Sequence, residues 1–349
     1  MPDTYSEKEW NGAIASLGRL VDIRNFPDAA ADFLMGRIPV FLGRGIRLQT
    51  KALDPKTIGA LVFWTKGPVD LLIEHGGLRE VLETYNRNHA VIGLELSVTG
   101  LGGTFLEPGI QSPAEVAAGL EKVLETGMID PEAIVLRYDP LLKVRAPDGR
   151  ILRNDTVQVF ESVISLFSSL GVKTVETKFL LLNEGKDKKY HHVWDRMQEA
   201  GIHPFPLDDF TTTFKQLSGV ASNLGMNLFS CCIKHYISDW TGDSGCLSAH
   251  RLTGIGKRRF GEEWNRISFK PRPSRPGCDC TYYYDLSNVK GHKKCGSQEA
   301  ACLYCTASCE RYGVTIKEKT KQELAAFCNG EREEFYRLLL PKPDKTKYD

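Results

Sequence analysis

The stretch ALVFWTKGPVDLLIEHGGLREVLETYNRNHAVIGLELSV, residues 60–98, decides the fold that we expect. It opens with a short apolar run at 60–65, which Lys66-Gly67-Pro68 closes. A segment of helical period follows over 69–86, and a second apolar run occupies 90–98. Two buried strands joined by a helix are the unit from which parallel sheets are built. These residues therefore predict a strand–helix–strand unit.

The same alternation continues along the chain. Ser112-Pro-Ala-Glu115 predicts a capped helix start, with Ser at the N-cap, Pro at the first helical position and Glu three residues after the cap. Further strands are predicted at 133–138, 172–182 and 227–231, and further helices at 155–169, 191–200 and 210–223. This pattern predicts an α/β fold with a mainly parallel sheet, as a complete or partial (β/α) barrel.

Composition narrows the class of protein. The chain of 349 residues is 42% hydrophobic and 26% charged, as expected for one large α/β domain or two ordinary ones. Its formal charge of +1 carries no global signature for nucleic acid or an anionic membrane. The N-terminus lacks a basic-then-apolar signal, and no apolar run reaches the ~18 residues of a membrane span. We therefore expect a cytoplasmic protein without membrane contact.

Polar residues end several predicted strands. They are Lys66, Arg137, Asp139 and Glu184. In parallel α/β folds ligands bind beyond the carboxyl ends of the strands, so these side chains are candidates for binding a substrate or cofactor. A structural ion-pair network is the alternative for each of them.

The ten cysteines are concentrated late in the chain, six of them within 278–309. In a reducing compartment such a cluster binds metal or performs redox chemistry more often than it forms disulfides. Cys295, Cys302 and Cys305 are separated by six and then two residues. Three thiolates on one loop can hold three irons of a [4Fe–4S] cubane and leave the fourth iron open. A structural zinc site is the alternative, and spacing alone does not decide between the two.

The strand–helix alternation stops near residue 242. We therefore divide the chain into an α/β barrel-like domain at 1–241, a cysteine-rich metal-cluster segment at 242–310 packed on the barrel mouth, and a C-terminal helix with a loose tail at 311–349. The middle segment is expected to be irregular. Between 256 and 276 it is strongly basic, which indicates either a nucleic-acid contact or a solvated basic loop.

Several stretches, taken in order, resemble an uncharacterised bacterial family, a domain of unknown function. That family's C-terminal cysteine cluster is similar to the N-terminal cluster of radical S-adenosylmethionine enzymes, and some of its members are likened to spore photoproduct lyase. The matching stretches span roughly residues 20 to 310, and they are VFWTKGP at 62–68, TGLG at 99–102 with Glu107-Pro108, RYDP at 137–140, FSC at 229–231, SGC at 244–246, CDC at 278–280 and CLYC at 302–305.

The resemblance implies two thiol sets. Cys295, Cys302 and Cys305 fall on the radical-type triad, which would carry an open [4Fe–4S] cluster that binds S-adenosylmethionine. Four further family positions are Cys231, Cys246, Cys278 and Cys280, and these would form a closed second site with either a [4Fe–4S] cluster or zinc. Lys66, Arg137, Asp139 and Glu184 would then orient the substrate or S-adenosylmethionine.

The chain also departs from the family pattern. Val21-Asp-Ile-Arg-Asn-Phe-Pro27 replaces the usual Ser-Arg-Arg-Thr-Asp-Ile-Pro, and Thr306 stands where an aromatic residue is expected. The first spacing of the triad is six residues where radical enzymes usually have three.

Two functions follow from the sequence. The first is a radical S-adenosylmethionine-type redox enzyme, an oxidoreductase or lyase, with an electron donor such as ferredoxin or flavodoxin and a small-molecule or nucleic-acid substrate. The second is a zinc- or cluster-stabilised nucleic-acid-binding protein without radical chemistry.

Overall fold

The structure, a computed structural model, describes residues 12–18, 23–24, 27–37, 40–42, 49–107, 109–179, 191–205, 210–230, 245–268, 280–281 and 284–285. The helices in these segments are α1 (Pro27–Leu34), α2 (Leu71–Glu74), α3 (Gly76–Arg87), α4 (Pro113–Glu125), α5 (Val157–Ser168), α6 (His191–Glu199), α7 (Phe210–Asn223) and α8 (Ala249–Phe260). The strands are β1 (Ala13–Leu17), β2 (Val40–Leu42), β3 (Gln49–Lys51), β4 (Ile58–Thr65), β5 (Val91–Ser97), β6 (Ile134–Leu141), β7 (Lys143–Arg145), β8 (Ile151–Arg153), β9 (Thr174–Phe179), β10 (His203–Pro204), β11 (Asn227–Ser230) and β12 (Tyr284–Asp285).

Seven strands form one sheet in the order β11, β9, β6, β5, β4, β1, β12, and all of its pairings are parallel. From β4 to β11 the strands follow one another across the sheet in chain order, so each crossover steps in the same direction. Right-handed crossovers in a single direction place their helices on one face of the sheet. The predicted α/β class with a mainly parallel sheet is confirmed.

The sheet is not closed into a ring within the described residues. Its outer strands there are β11 and β12, each of which pairs with a single neighbour. A closed barrel is therefore not found in this part of the chain.

The two faces of the sheet bury different partners. Leu61 and Phe63 of β4 belong to the main hydrophobic core, which also contains side chains of α3, α4, α5 and α7. Ala60 and Val62 point to the other face, where they pack in a second cluster with residues of α8. We call this second side the inner face.

Helix α8 corrects one expectation, because the sequence had indicated irregular structure from residue 242 onward. The side chain of Ser248 caps the helix by accepting a hydrogen bond from the backbone N–H of Arg251, at 3.3 Å. Leu252 and Ile255 are buried on the inner face, while three basic residues occupy the last turn. The abundance of positive charge had concealed an amphipathic helix.

The other predicted elements between 60 and 231 are present, with ends that differ by a few residues. The capping box of Ser112 and Glu115 at the start of α4 is confirmed. Strands β1 and β12 were missed: β1 has only five residues, all buried, and β12 has only two. The division into 1–241, 242–310 and 311–349 stays a prediction, and its last part lies outside the described residues.

Two smaller sheets accompany the main one. Strands β10, β7 and β8 form an antiparallel sheet, and β2 pairs antiparallel with β3. A third apolar cluster buries Val144 of β7 and Leu101 together with Val193 and Met197 of α6. Within the segments that the structure describes, no helix has both the length and the apolar character needed to cross a membrane.

Candidate functional site

Two of the predicted thiol ligands meet on the inner face. The Sγ atoms of Cys246 and Cys280 lie 3.4 Å apart although 34 residues separate them, and both side chains are buried. The apolar side chains packed with them are Val135, Phe229 and Trp64. The family resemblance placed Cys246 and Cys280 in one set, and the structure brings them together.

The backbone fixes this thiol pair. The backbone N–H of Thr281 donates to the carbonyl of Leu247 at 2.9 Å, and the N–H of Ala249, the first residue of α8, donates to Thr281 Oγ1 at 2.9 Å. The guanidinium of Arg251 also donates to the Cys246 carbonyl, at 2.6 Å. The two cysteine-bearing segments are thus held side by side.

The sulfur–sulfur distance identifies what the pair can do. It is far longer than the ~2.05 Å of a disulfide bond. Two thiolates on one tetrahedral metal, each ~2.3 Å from the ion, lie about 3.8 Å apart. At 3.4 Å, Cys246 and Cys280 are therefore close to the arrangement that a shared metal requires.

The remaining predicted thiol ligands, Cys231, Cys278, Cys295, Cys302 and Cys305, lie outside the described residues. Among the residues that are described, no group of three or more His, Cys, Asp or Glu side chains is arranged to hold a metal ion. Cys246 and Cys280 are accordingly half of the predicted four-thiol set.

A charged cluster lies on the inner face and consists of side chains from β5, β6 and β9. Nη1 of Arg137 lies 2.6 Å from Oε2 of Glu176, and its Nη2 donates to Oδ2 of Asp139 at 2.7 Å. Oε2 of Glu95 lies farther away, 3.7 Å from Nη1. The guanidinium also stacks on Trp64, with 4.6 Å between Cζ and the ring centroid.

Burial governs the electrostatics of this cluster. It raises the pKa of Glu95 well above its usual range, and the Cys246 thiolate raises it further, while Arg137 acts in the opposite direction. Burial alone would lower the pKa of Arg137, but the surrounding carboxylates, Glu176 first, raise it well above its usual value. Burial also raises the pKa of Glu176 well above its usual range, and Arg137, which lies closer to Glu176 than to Glu95, acts in the opposite direction.

Lys66 belongs to a separate buried ion pair. Its Nζ contacts Oε1 of Glu107, and Thr99 Oγ1 donates to Oε2 of the same carboxylate at 2.8 Å. Glu107 is only 1% exposed. The glycine-rich loop between them is tightly packed, since a Cβ on Gly102 would lie 2.0 Å from the Gln111 carbonyl oxygen. This loop anchors Glu107 beneath Lys66.

The predicted ligand-binding residues thus have partners within the chain. Lys66 directly follows β4, whereas Arg137 and Asp139 lie within β6, and each of the three makes an ion pair. Their role toward a ligand stays a prediction, and Glu184 lies outside the described residues.

The described arginines of the basic segment make internal contacts. Arg258 pairs with Glu132 at 2.7 Å, and Arg259 donates to the Asn86 side chain and the Gly127 carbonyl at 2.9 and 2.8 Å. Arg266 donates to the carbonyl of Lys56. These contacts hold α8 and the chain after it against the main domain, which favours a structural role for this part of the segment.

Sequence reasoning missed Glu95 and Glu176. Each is a single acidic residue within a short apolar or β-branched strand, VIGLELS and TVETKF, and each is 1% exposed. A carboxylate in the middle of a largely apolar strand is the signal that could have found them, because such a group, once buried, requires a partner or a proton.

The fold and this site define an α/β protein whose parallel sheet carries buried thiols and an acid-rich ionic cluster on one face. The chain belongs to the family called Domain of unknown function (DUF1848), whose sequence model matches residues 43–307. That span contains the charged cluster and both described thiols. Comparison with curated proteins finds no match to the chain.

Proposed function

We propose that the protein is an iron–sulfur enzyme of the radical S-adenosylmethionine type, with its metal centre on the inner face of a partial barrel. The observation that carries the proposal is the 3.4 Å approach of the buried Cys246 and Cys280 Sγ atoms. It supports a thiolate-bound metal because distant segments of the chain converge without forming a disulfide. The assignment to the radical S-adenosylmethionine type rests on the resemblance of the cysteine cluster to the cluster of those enzymes.

The thiolate ligands suit the proposed iron–sulfur cofactor. Thiolate sulfur is the ligand that iron–sulfur clusters and structural zinc sites share. Cys246 and Cys280, with Cys231 and Cys278, would hold the closed site. The triad Cys295, Cys302 and Cys305 would hold the open cluster. When bound, that cluster supplies one-electron reducing power to S-adenosylmethionine.

Charged and aromatic side chains surround the proposed metal centre. Arg137, Glu176 and Asp139 form an ionic cluster on the inner face of β6 and β9. The indole of Trp64 lies against both the thiols and the guanidinium of Arg137, where it excludes water from the centre. An electron donor such as ferredoxin or flavodoxin and a reducing, cytoplasmic setting belong to the same proposal.

Metal and sulfide analysis of the full-length protein, purified without oxygen, tests the proposal. We expect iron and inorganic sulfide in equal amounts and a brown colour that dithionite bleaches. Cys246→Ala and Cys280→Ala should each lower the metal content, whereas Cys328→Ala, in a predicted core helix, should not. Metal-free protein, or metal content that neither substitution changes, would overturn it.

Trp64 offers an independent readout. Because it packs against Cys246 and Cys280, a bound metal cluster should quench its fluorescence. The quenching should be lost in Trp64→Phe, although four other tryptophans remain among the five of the chain. Quenching of equal size in wild type and Trp64→Phe would place the metal elsewhere.

The same measurements distinguish the second candidate, a zinc- or cluster-stabilised nucleic-acid-binding protein. Two thiolates at this separation also suit zinc. Colourless protein with stoichiometric zinc and no sulfide would favour that function. The internal contacts of Arg258, Arg259 and Arg266 weigh against a nucleic-acid surface on this part of the chain.

A further inference from the structure

The small antiparallel sheet of β10, β7 and β8 presents a positively charged outer face. Val144 is buried in the third apolar cluster, so its neighbours in β7, Lys143 and Arg145, point to the opposite, outer side. The strand register places Ile151 of β8 opposite Arg145, and Ile151 is 53% exposed. We call this side the basic face, and its residues are Lys143, Arg145, Ile151, Arg153, His203 and Phe205.

Two cations of the basic face lack a counterion within the described residues. Arg153 is neutralised by Asp155 at 2.6 Å, but no described carboxylate lies within ion-pairing distance of Lys143 or Arg145. Both of these lie over the ring of Phe205, with Lys143 Nζ 4.9 Å and Arg145 Cζ 5.2 Å from its centroid. The backbone N–H of Phe205 donates to the Lys143 carbonyl at 2.9 Å, which fixes the ring beside the two cations. Adjacent positive charges repel each other, so this arrangement favours an anionic partner.

The position of the small sheet in the fold also suits a binding surface. Strand β6 ends at Leu141 and β7 begins at Lys143, so the small sheet starts at the carboxyl end of a central strand of the main sheet. Ligands of parallel α/β folds bind beyond this end of the strands. The basic face also differs from the basic segment near α8, whose described arginines make internal contacts. Arg145 is exposed and Lys143 is half-buried, so a partner can reach both.

We propose that the basic face binds a single-stranded nucleic acid, with Lys143 and Arg145 on its phosphates. Guanidinium and ammonium groups both bind phosphate oxygens through charge-assisted hydrogen bonds. The ring of Phe205 and the exposed Ile151 share the face with these cations. Surfaces that bind single strands combine positive charge with aromatic side chains, because unpaired bases offer their faces to such groups. A duplex keeps its bases stacked inside and an acidic peptide has none, so both should bind more weakly. The proposal does not depend on a metal centre.

Fluorescence anisotropy of a labelled oligothymidylate of about 12 nucleotides, titrated with the full-length protein, tests the proposal. Two phosphate contacts predict that the logarithm of the binding constant falls with the logarithm of salt concentration with a slope of about −1.4. Lys143→Gln and Arg145→Gln should each reduce the magnitude of that slope by about 0.7 and weaken binding about fivefold at ~0.1 M salt. Lys215→Gln, which removes an exposed positive charge from α7, is the matched control and should change neither quantity.

Phe205→Leu separates the role of the ring from that of the charges. It keeps both cations but removes the ring beside them, so binding should weaken roughly 2–5-fold while the salt slope stays unchanged. Thermal unfolding followed by circular dichroism establishes that each variant is folded. The proposal would be overturned if the oligothymidylate did not bind, or if Lys143→Gln and Arg145→Gln bound it as wild type does. Equal or tighter binding of a duplex or a polyglutamate of the same length would also overturn it.

Discussion

Nη1 of Arg137 lies 2.6 Å from Oε2 of Glu176, and the two residues are direct neighbours across β6 and β9. The same guanidinium stacks on Trp64, whose Nε1 donates to Ser16 Oγ of β1 at 2.7 Å. Arg137 thereby links β6 to β9 and β4, and Trp64 extends these contacts to β1. The inner face thus combines this ionic cluster with the apolar cluster that packs against α8.

Removal of Arg137 should destabilise the protein strongly. Arg137→Met leaves Glu176 and Asp139 without their counterion, and breaking a buried pair in this way costs about 3–5 kcal/mol. Urea unfolding measures the loss. Arg150→Met removes an ion pair of an arginine that is 79% exposed and should change little. Similar effects of the two substitutions would refute the assigned role of Arg137.

The loss of folding stability in Arg137→Met should also depend on pH. Without the guanidinium the buried carboxyl groups must take protons to remain folded, so their folded pKa values rise. A raised carboxyl pKa contributes stability that is lost with increasing pH, and the variant should therefore weaken further between about pH 5 and 8. Unfolding curves at a series of pH values measure this trend, and a constant difference from wild type would contradict it.

Periodicity was sufficient to predict the central part of the fold. The buried strand at β4, the helical segment before β5 and the capping box of α4 each have a local cause in the sequence. Their order also predicted parallel pairing, because successive strands joined by helices run in the same direction. Each of these elements is determined by residues that lie close together in the sequence.

The site could not be predicted to the same extent. The partnership of Arg137 with Glu176 depends on the register of β6 against β9, which the sequence does not state. Cys246 and Cys280 come together only because α8 folds back onto the inner face. Resemblance grouped those two cysteines, but no local pattern fixed their distance.

Substitutions of Lys66 and Glu107 should have strongly non-additive effects on stability. Lys66→Met takes the counterion from the buried Glu107 carboxylate, which keeps the hydrogen bond from the Thr99 hydroxyl, and the change should cost about 3 kcal/mol. Adding Glu107→Gln removes the uncompensated charge, so the double variant should recover part of the stability. Lys122→Met, at an exposed pair with Asp70, should have little effect. Urea unfolding of the four proteins measures the coupling, and strict additivity of Lys66→Met and Glu107→Gln would contradict the pairing.

Thr281 should support the thiol pair without being a ligand. Thr281→Val removes the oxygen that accepts from the N–H of Ala249 and leaves that N–H buried and unsatisfied, at a cost of about 1–3 kcal/mol. If Cys246 and Cys280 bind metal, loosening their support should weaken cobalt(II) binding by about 10–100-fold. Titration of the cobalt–thiolate absorption measures this change. Thr104→Val, whose hydroxyl bonds to Leu101 in a different part of the fold, is the control and should bind cobalt normally.

Two glycines of α8 should respond oppositely to the same substitution. A Cβ on Gly256 would lie 2.2 Å from Cε3 of Trp264, so Gly256→Ala must displace the indole and should cost about 1–3 kcal/mol. Gly254 has open space around it, with Arg258 Nη1 at 3.9 Å as its nearest contact, and Gly254→Ala should stabilise the helix by roughly 0.5–1 kcal/mol. Because α8 begins only three residues after Cys246, the first variant should also increase the reactivity of the buried thiols toward a thiol reagent, and the second should not. Equal stability of the two variants would show that α8 does not dock on the inner face through Gly256.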